Sequence, residues 1–181
     1  QKIFNQSGFL KERGETEFAE LLMDFGNNVE AGDTTNREGH AAKVYFNHAF
    51  FNGFTRDKDC FLNACLDYGY TILISEFNRA VVAAGYLTQL GIHHINEFNE
   101  FNLSCDLVEP FRFVIDRKAA SLAEGSDFKS AMVDLLGQDV KQYGKTQTLV
   151  NAIGIYTNSV FTALGTGDLS RIGFIDYEFG G

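Results

Sequence analysis

One proline, Pro110, stands in a chain of 181 residues. Proline ends helices by removing a backbone N–H and clashing with the preceding turn, so its near absence leaves long helical runs open. The 18 glycines then become the main punctuation. Phe18, Leu21, Leu22, Phe25 and Val29 recur at i, i+3, i+4, i+7 and i+11, one apolar helical stripe. Gly32-Asp33-Thr34-Thr35 reads as a loop and cap, and the pattern predicts a second helix from about residue 36 to 51. Asn52-Gly53 marks a turn before a long third helix, about 58–84, with Gly69 inside it. Residues 85–102 have no clean period and read as a connector. Helical patterns return over 103–122, from Ser126 to about 143, and over 145–164, and 168–181 read as an extended tail with a short strand. No internal repeat is present. The expected class is mainly α, one helical domain over 1–181 with about seven helices.

Hydrophobic residues make up 45% of the chain, which is enough for a core and excludes a disordered sequence. The net charge of −9 argues against a general basic nucleic-acid coat. No apolar run approaches the roughly 18 residues that suggest a membrane-spanning helix. The chain begins at Gln1 with no signal-peptide pattern, which suggests a processed or cut polypeptide. Cys60, Cys65 and Cys105 are three in number and lack short metal-binding spacing, against a disulfide scaffold or a zinc site. They read as reduced, buried thiols in a cytosol.

Charge is unevenly placed. Residues 61–110 hold six acids and one base, and 111–118 carry Arg112, Arg117 and Lys118 against Asp116. Such a pattern fits a cation site beside an anion-binding edge, and equally a solvated face. Glu38 is three residues after Thr35, the spacing of a capping box. It also heads a stripe with Ala42, Tyr45 and Ala49 that should face a core, where a carboxylate needs a proton, a partner or a metal. His93 and His94 sit together in the connector. Asp106 and Glu109 share a helical face, where like charges repel unless Arg112 or a cation neutralises them. Pro110 places a helix start or a bend at that point. Two carboxylates with one imidazole suit Mg²⁺ or Mn²⁺ better than zinc. Helical di-iron, nucleophile-elbow, Walker and dinucleotide patterns are missing from the sequence.

Four segments occur in a telling order: Arg37-Glu38-Gly39-His40-Ala41-Ala42, then residues 66–73 (Leu-Asp-Tyr-Gly-Tyr-Thr-Ile-Leu), then Leu90-Gly91-Ile92-His93-His94, then 101–112 (Phe-Asn-Leu-Ser-Cys-Asp-Leu-Val-Glu-Pro-Phe-Arg). Together they resemble the CRISPR-associated (Cas) spacer-acquisition endonuclease/integrase family, in its type II form. The resemblance implies a metal triad of Glu38, His94 (rather than His93) and Glu109, with Asp106 as a supporting acid. It implies an enzyme that uses Mg²⁺ or Mn²⁺ to promote attack of a DNA 3′-hydroxyl on a CRISPR-repeat phosphodiester, inserting a new spacer, with nuclease activity at the same site.

The implied partners are prespacer and repeat DNA, a small second Cas adaptation protein, a second copy of the integrase, and in type II systems the effector nuclease and another accessory Cas protein. No membrane is implied. The family's N-terminal β-rich domain is absent from these residues, so the expectation is the C-terminal catalytic domain alone. Arg37, Lys43, Arg112, Arg117 and Lys118 are the expected DNA contacts. The competing expectation is a non-enzymatic acidic helical interaction module, suggested by the net charge and by Phe46, Phe50, Phe51 and Phe54.

Overall fold

The computed structural model describes residues 1–30 and 36–176. The expected loop and Thr35 cap at 32–35, and the last residues of the tail, lie outside the described residues. Among the described residues the elements are α1 (Lys2–Glu12), α2 (Thr16–Asn27), α3 (Arg37–Ala49), α4 (Phe61–Ala83), α5 (Asn102–Val108), α6 (Arg112–Ser121), α7 (Phe128–Asp134), β1 (Asp139–Gln142), β2 (Lys145–Thr148) and α8 (Leu149–Thr166). Short 3-10 turns occupy Glu109–Phe111, Leu135–Gly137 and Leu169–Arg171. The class is mainly α, as expected.

The chain forms two compact units, one from Gln1–Leu66 and Phe113–Ser126, the other from Asp67–Arg112 and Asp127–Glu178. In the first, α1, α2 and α3 pack on one another. Phe9, Leu10, Leu22, Tyr45 and Ile115 are among its buried residues. The Ser7 hydroxyl donates to the Ala19 carbonyl at 2.7 Å, tying α1 to α2. The α2 stripe is only partly buried: Leu22 is inside, while Leu21 and Val29 are exposed. Phe50 and Phe51 lie 5.0 and 5.3 Å from Phe54 between ring centroids, and Phe46 lies 5.9 Å from it. Phe54 is buried. These rings pack on one another; Phe51 is the most open of them.

The second unit is built around Phe77 of α4, Phe111 and Tyr156 of α8, whose ring centroids are 5.0 to 6.1 Å apart. Edge-on and tilted ring contacts of this kind add to the burial of large apolar area. α8 starts at Thr148, whose hydroxyl accepts from the Asn151 N–H, and ends at Gly167 in the left-handed conformation.

Three expectations need correction. The run 103–122 is broken: Pro110 sits in the 3-10 turn Glu109–Phe111, which separates α5 from α6. The helix expected to reach residue 143 ends at Asp134, and its cap is Asp127 rather than Ser126. In its place β1 and β2 form an antiparallel hairpin, Asp139 opposite Thr148 and Gln142 opposite Lys145. Tyr143 (φ 52°) and Gly144 (φ 69°) make its turn, the positive-φ pair that matches hairpin twist. Part of the tail is extended as expected, with Ile175 bridging to Gln142. The tail also contains the 3-10 turn Leu169–Arg171.

Candidate functional site

Residues 84–101 form neither helix nor strand, as the missing periodicity indicates. Side chains from α5 hold this connector in shape. Asn102, nearly fully buried, donates to the Gln89 carbonyl at 3.1 Å and the Asn96 carbonyl at 2.7 Å. Asp106, one turn further along α5, takes three successive backbone N–H groups. Its Oδ2 accepts from Ile92 at 2.5 Å and His93 at 2.9 Å, and its Oδ1 from His94 at 3.1 Å. Consecutive N–H groups converging in this way form a nest for negative charge. Gly91 is required by the same geometry: a Cβ there would fall 2.1 Å from the His94 carbonyl oxygen and 3.0 Å from Asp106 Oδ2.

The fourth contact sets the chemistry. His94 Nδ1 lies 2.5 Å from Asp106 Oδ1. Burial pushes the Asp106 carboxyl up, but the hydrogen bonds from His93, the His94 ring, and the His94 and Ile92 amides outweigh it. They hold it below the usual carboxylate range. An ionised carboxylate only accepts, so Nδ1 carries the proton and donates. With Nδ1 used in this way, Nε2 is the ring nitrogen left to a ligand, the arrangement by which a carboxylate orients a metal-ligating histidine. The His94 side chain is 42% exposed and Asp106 9%, so the imidazole is accessible and its support is not. His93 gives Asp106 only its backbone N–H among these contacts. Burial also pushes the Tyr156 phenol up, and the Asp106 charge adds to this, keeping it protonated.

Glu109 follows α5 at the start of the 3-10 turn, where Pro110 loses no helical hydrogen bond. Its Oε1 accepts from Arg112 Nε at 2.8 Å, and its Oε2 is buried. The Arg112 guanidinium also lies 4.6 Å from the centre of the Tyr70 ring. The ion pair foreseen for Arg112 is present. It keeps one carboxylate oxygen of Glu109 engaged.

Glu38 belongs to the other unit. It stands in the first turn of α3, whose N-cap is Asn36 in the left-handed conformation, and it is exposed. Its stripe is buried further along, at Tyr45 and Ala49, so the inward-facing carboxylate expected from the pattern is instead an open one at the helix start. A helix N-terminus favours negative charge there. Among the described residues no group of three or more His, Cys, Asp and Glu side chains is arranged to hold a metal ion.

Of the expected DNA contacts, Lys43 is exposed and Arg37 and Lys118 are half-buried. Arg112 is engaged as above, and Arg117 pairs with Glu12 at 3.3 Å. Gly91 is marked in the sequence only as a neighbour of the histidine pair, and Asn102 and Tyr70 carry no sign of their roles there. Gly91 and Asn102 lie inside the quoted segments, but only the folded connector shows what they hold.

The family model for CRISPR associated protein Cas1 matches residues 2–137. The CRISPR-associated endonuclease Cas1 of Neisseria meningitidis serogroup C is 37% identical over 132 residues, covering 73% of this chain and 43% of that protein. One from Francisella tularensis subsp. novicida is 32% identical over 108 residues, covering 54% and 34%. The chain therefore spans less than half the length of these relatives. Among solved structures, a casposase bound to integration product matches with TM-score 0.69 at 20% identity, over 92% of this chain and 60% of that one. A Cas6-RT-Cas1–Cas2 complex matches with TM-score 0.76 at 18% identity, over 99% and 24%. At such identities the likeness is one of fold. No helix among the described residues is long and apolar enough to cross a membrane. The family match extends over most of the chain and takes in the Asp106-supported histidine and the Glu109 turn: the chain belongs to the Cas1 family.

Proposed function

We propose that this chain supplies the helical catalytic part of a DNA endonuclease and integrase that inserts spacers into a CRISPR array. The observation that carries this reading is the Asp106–His94 contact, which commits Nδ1 as donor and leaves Nε2 as an accessible ligand. Support comes from the endonuclease names of the Cas1 relatives and from neighbours described as a Cas1–Cas2 complex and a casposase bound to integration product.

The donor set fits a hard divalent ion. Glu38, His94 and Glu109 offer two carboxylates and an imidazole, the chemistry that Mg²⁺ or Mn²⁺ accepts. When bound, such an ion lowers the pKa of a hydroxyl and stabilises charge on a phosphoryl centre. The protein's own part is to hold these donors. Asp106 orients His94, Arg112 neutralises part of the charge on Glu109, and Glu38 stands at a helix start. The reaction is attack of a DNA 3′-hydroxyl on a repeat phosphodiester, forming one phosphodiester bond and releasing one 3′-hydroxyl. Partners in this reading are prespacer and repeat DNA, a second copy of the protein and a small second Cas protein, in a cytoplasmic setting. The test is DNA strand transfer by the whole protein that carries this chain, with Mn²⁺ and the second Cas protein present. Glu38→Ala, His94→Ala and Glu109→Ala are each expected to lose it, and wild-type transfer by all three excludes the reading.

A further inference from the structure

Tyr45 of α3 donates its phenolic proton to Asp116 Oδ2 of α6 at 2.7 Å, and both residues are buried, at 0% and 1% exposure. Taking a carboxylate out of water is costly, and well-packed apolar residues of similar volume are often as stable or more so. Direction is what this pair adds. A short hydroxyl-to-carboxyl hydrogen bond holds only over a narrow range of distance and angle, whereas an apolar contact tolerates sliding.

The bond sits where direction matters. Tyr45 is seven residues beyond Glu38, two turns along α3 and within about 20° of it around the axis, and α3 is unbroken between them. Asp116 stands in the second turn of α6, the helix that begins directly after the Glu109–Phe111 turn. On the next residue of α6, Arg117 pairs with Glu12 of α1, so α6 is itself anchored within the same unit. Resting on the function proposed above, we infer that the Tyr45–Asp116 bond is a positioning device. It fixes the height and rotation of α3 against α6, and with them the place at which Glu38 presents its carboxylate. Neither residue touches metal or substrate.

The test titrates Mn²⁺ into the whole protein by calorimetry and records melting in metal-free buffer. Tyr45→Phe removes one oxygen and keeps the ring. It is expected to raise the half-saturating Mn²⁺ concentration roughly three- to tenfold, toward the low end of what loss of a ligand's supporting partner costs. The double variant Tyr45→Phe with Asp116→Leu removes both ends of the bond. It is expected to bind Mn²⁺ as weakly as Tyr45→Phe, whatever its melting midpoint. Wild-type affinity in either variant, with Glu38→Ala binding weakly, overturns the positioning role and leaves the site reading intact. Wild-type affinity in Glu38→Ala overturns the site reading, and this inference with it.

Discussion

Asp106 is the residue on which most of the local geometry converges. It collects three backbone N–H groups and the His94 ring. Asp106→Ala should release the connector and leave His94 free to rotate. Strand transfer is expected to fall about 10- to 100-fold, the usual cost of losing a ligand's supporting carboxylate, and exchange of the amides of residues 92–94 should speed up. The pH dependence follows from its direction. Asp106 titrates lower when folded than when unfolded, so its stabilisation is complete above the ordinary carboxylate range and fades as pH falls through the lower folded value. Connector amide protection is therefore expected to hold at pH 5 and to fail only below about pH 4, as hydrogen exchange across that range would show. Loss of protection already near neutral pH would point to a different group. At this scale the sequence was informative about identity and poor about environment. His94, Asp106 and Glu109 are legible as residues, whereas for Glu38 the pattern offers both a helix cap and an inward-facing carboxylate, and only its place in the first turn of α3 bears on the choice. A stripe's first member, at the N-terminal end of a helix, has no preceding turn to cover it.

The elements carry a second lesson. α3 and α4 match their apolar periods to within a few residues, because long helices repeat the signal many times. α1 went unread. Its helix buries Asn5, Gln6 and Ser7 beside Ile3, Phe9 and Leu10, which blurs the apolar pattern. The hairpin was missed because each strand has only four residues, rich in Lys, Gln and Thr. Tyr143-Gly144 was its only local sign. The aromatic trio of the second unit gives an element-scale prediction. Phe77 is fully buried against Phe111 and Tyr156, so Phe77→Ala should destabilise by about 3–5 kcal/mol, read by chemical denaturation. Gly91→Ala is expected to disorder the connector while leaving far-UV helicity close to wild type, since the added methyl collides first with the His94 carbonyl and meets α5 only at the side chains of Asn102 and Asp106, each 3.0 Å away.

For the whole molecule the constraint is charge. A net charge of −9 opposes DNA, and two of the local cations are already committed, Arg112 to Glu109 and Arg117 to Glu12. Each phosphate contact adds about one unit to the salt slope of DNA binding. Lys43→Ala, which removes an exposed cation of α3, should therefore lower that slope by about one. Arg117→Ala should leave it unchanged and reduce stability slightly. Mass binding curves at several salt concentrations separate the two. The central claim is that Glu38, His94 and Glu109 serve one divalent ion, and direct titration of Mn²⁺ into the whole protein and its three single alanine variants tests it. The account predicts one site whose affinity falls at least about tenfold in each variant; wild-type affinity in all three contradicts it.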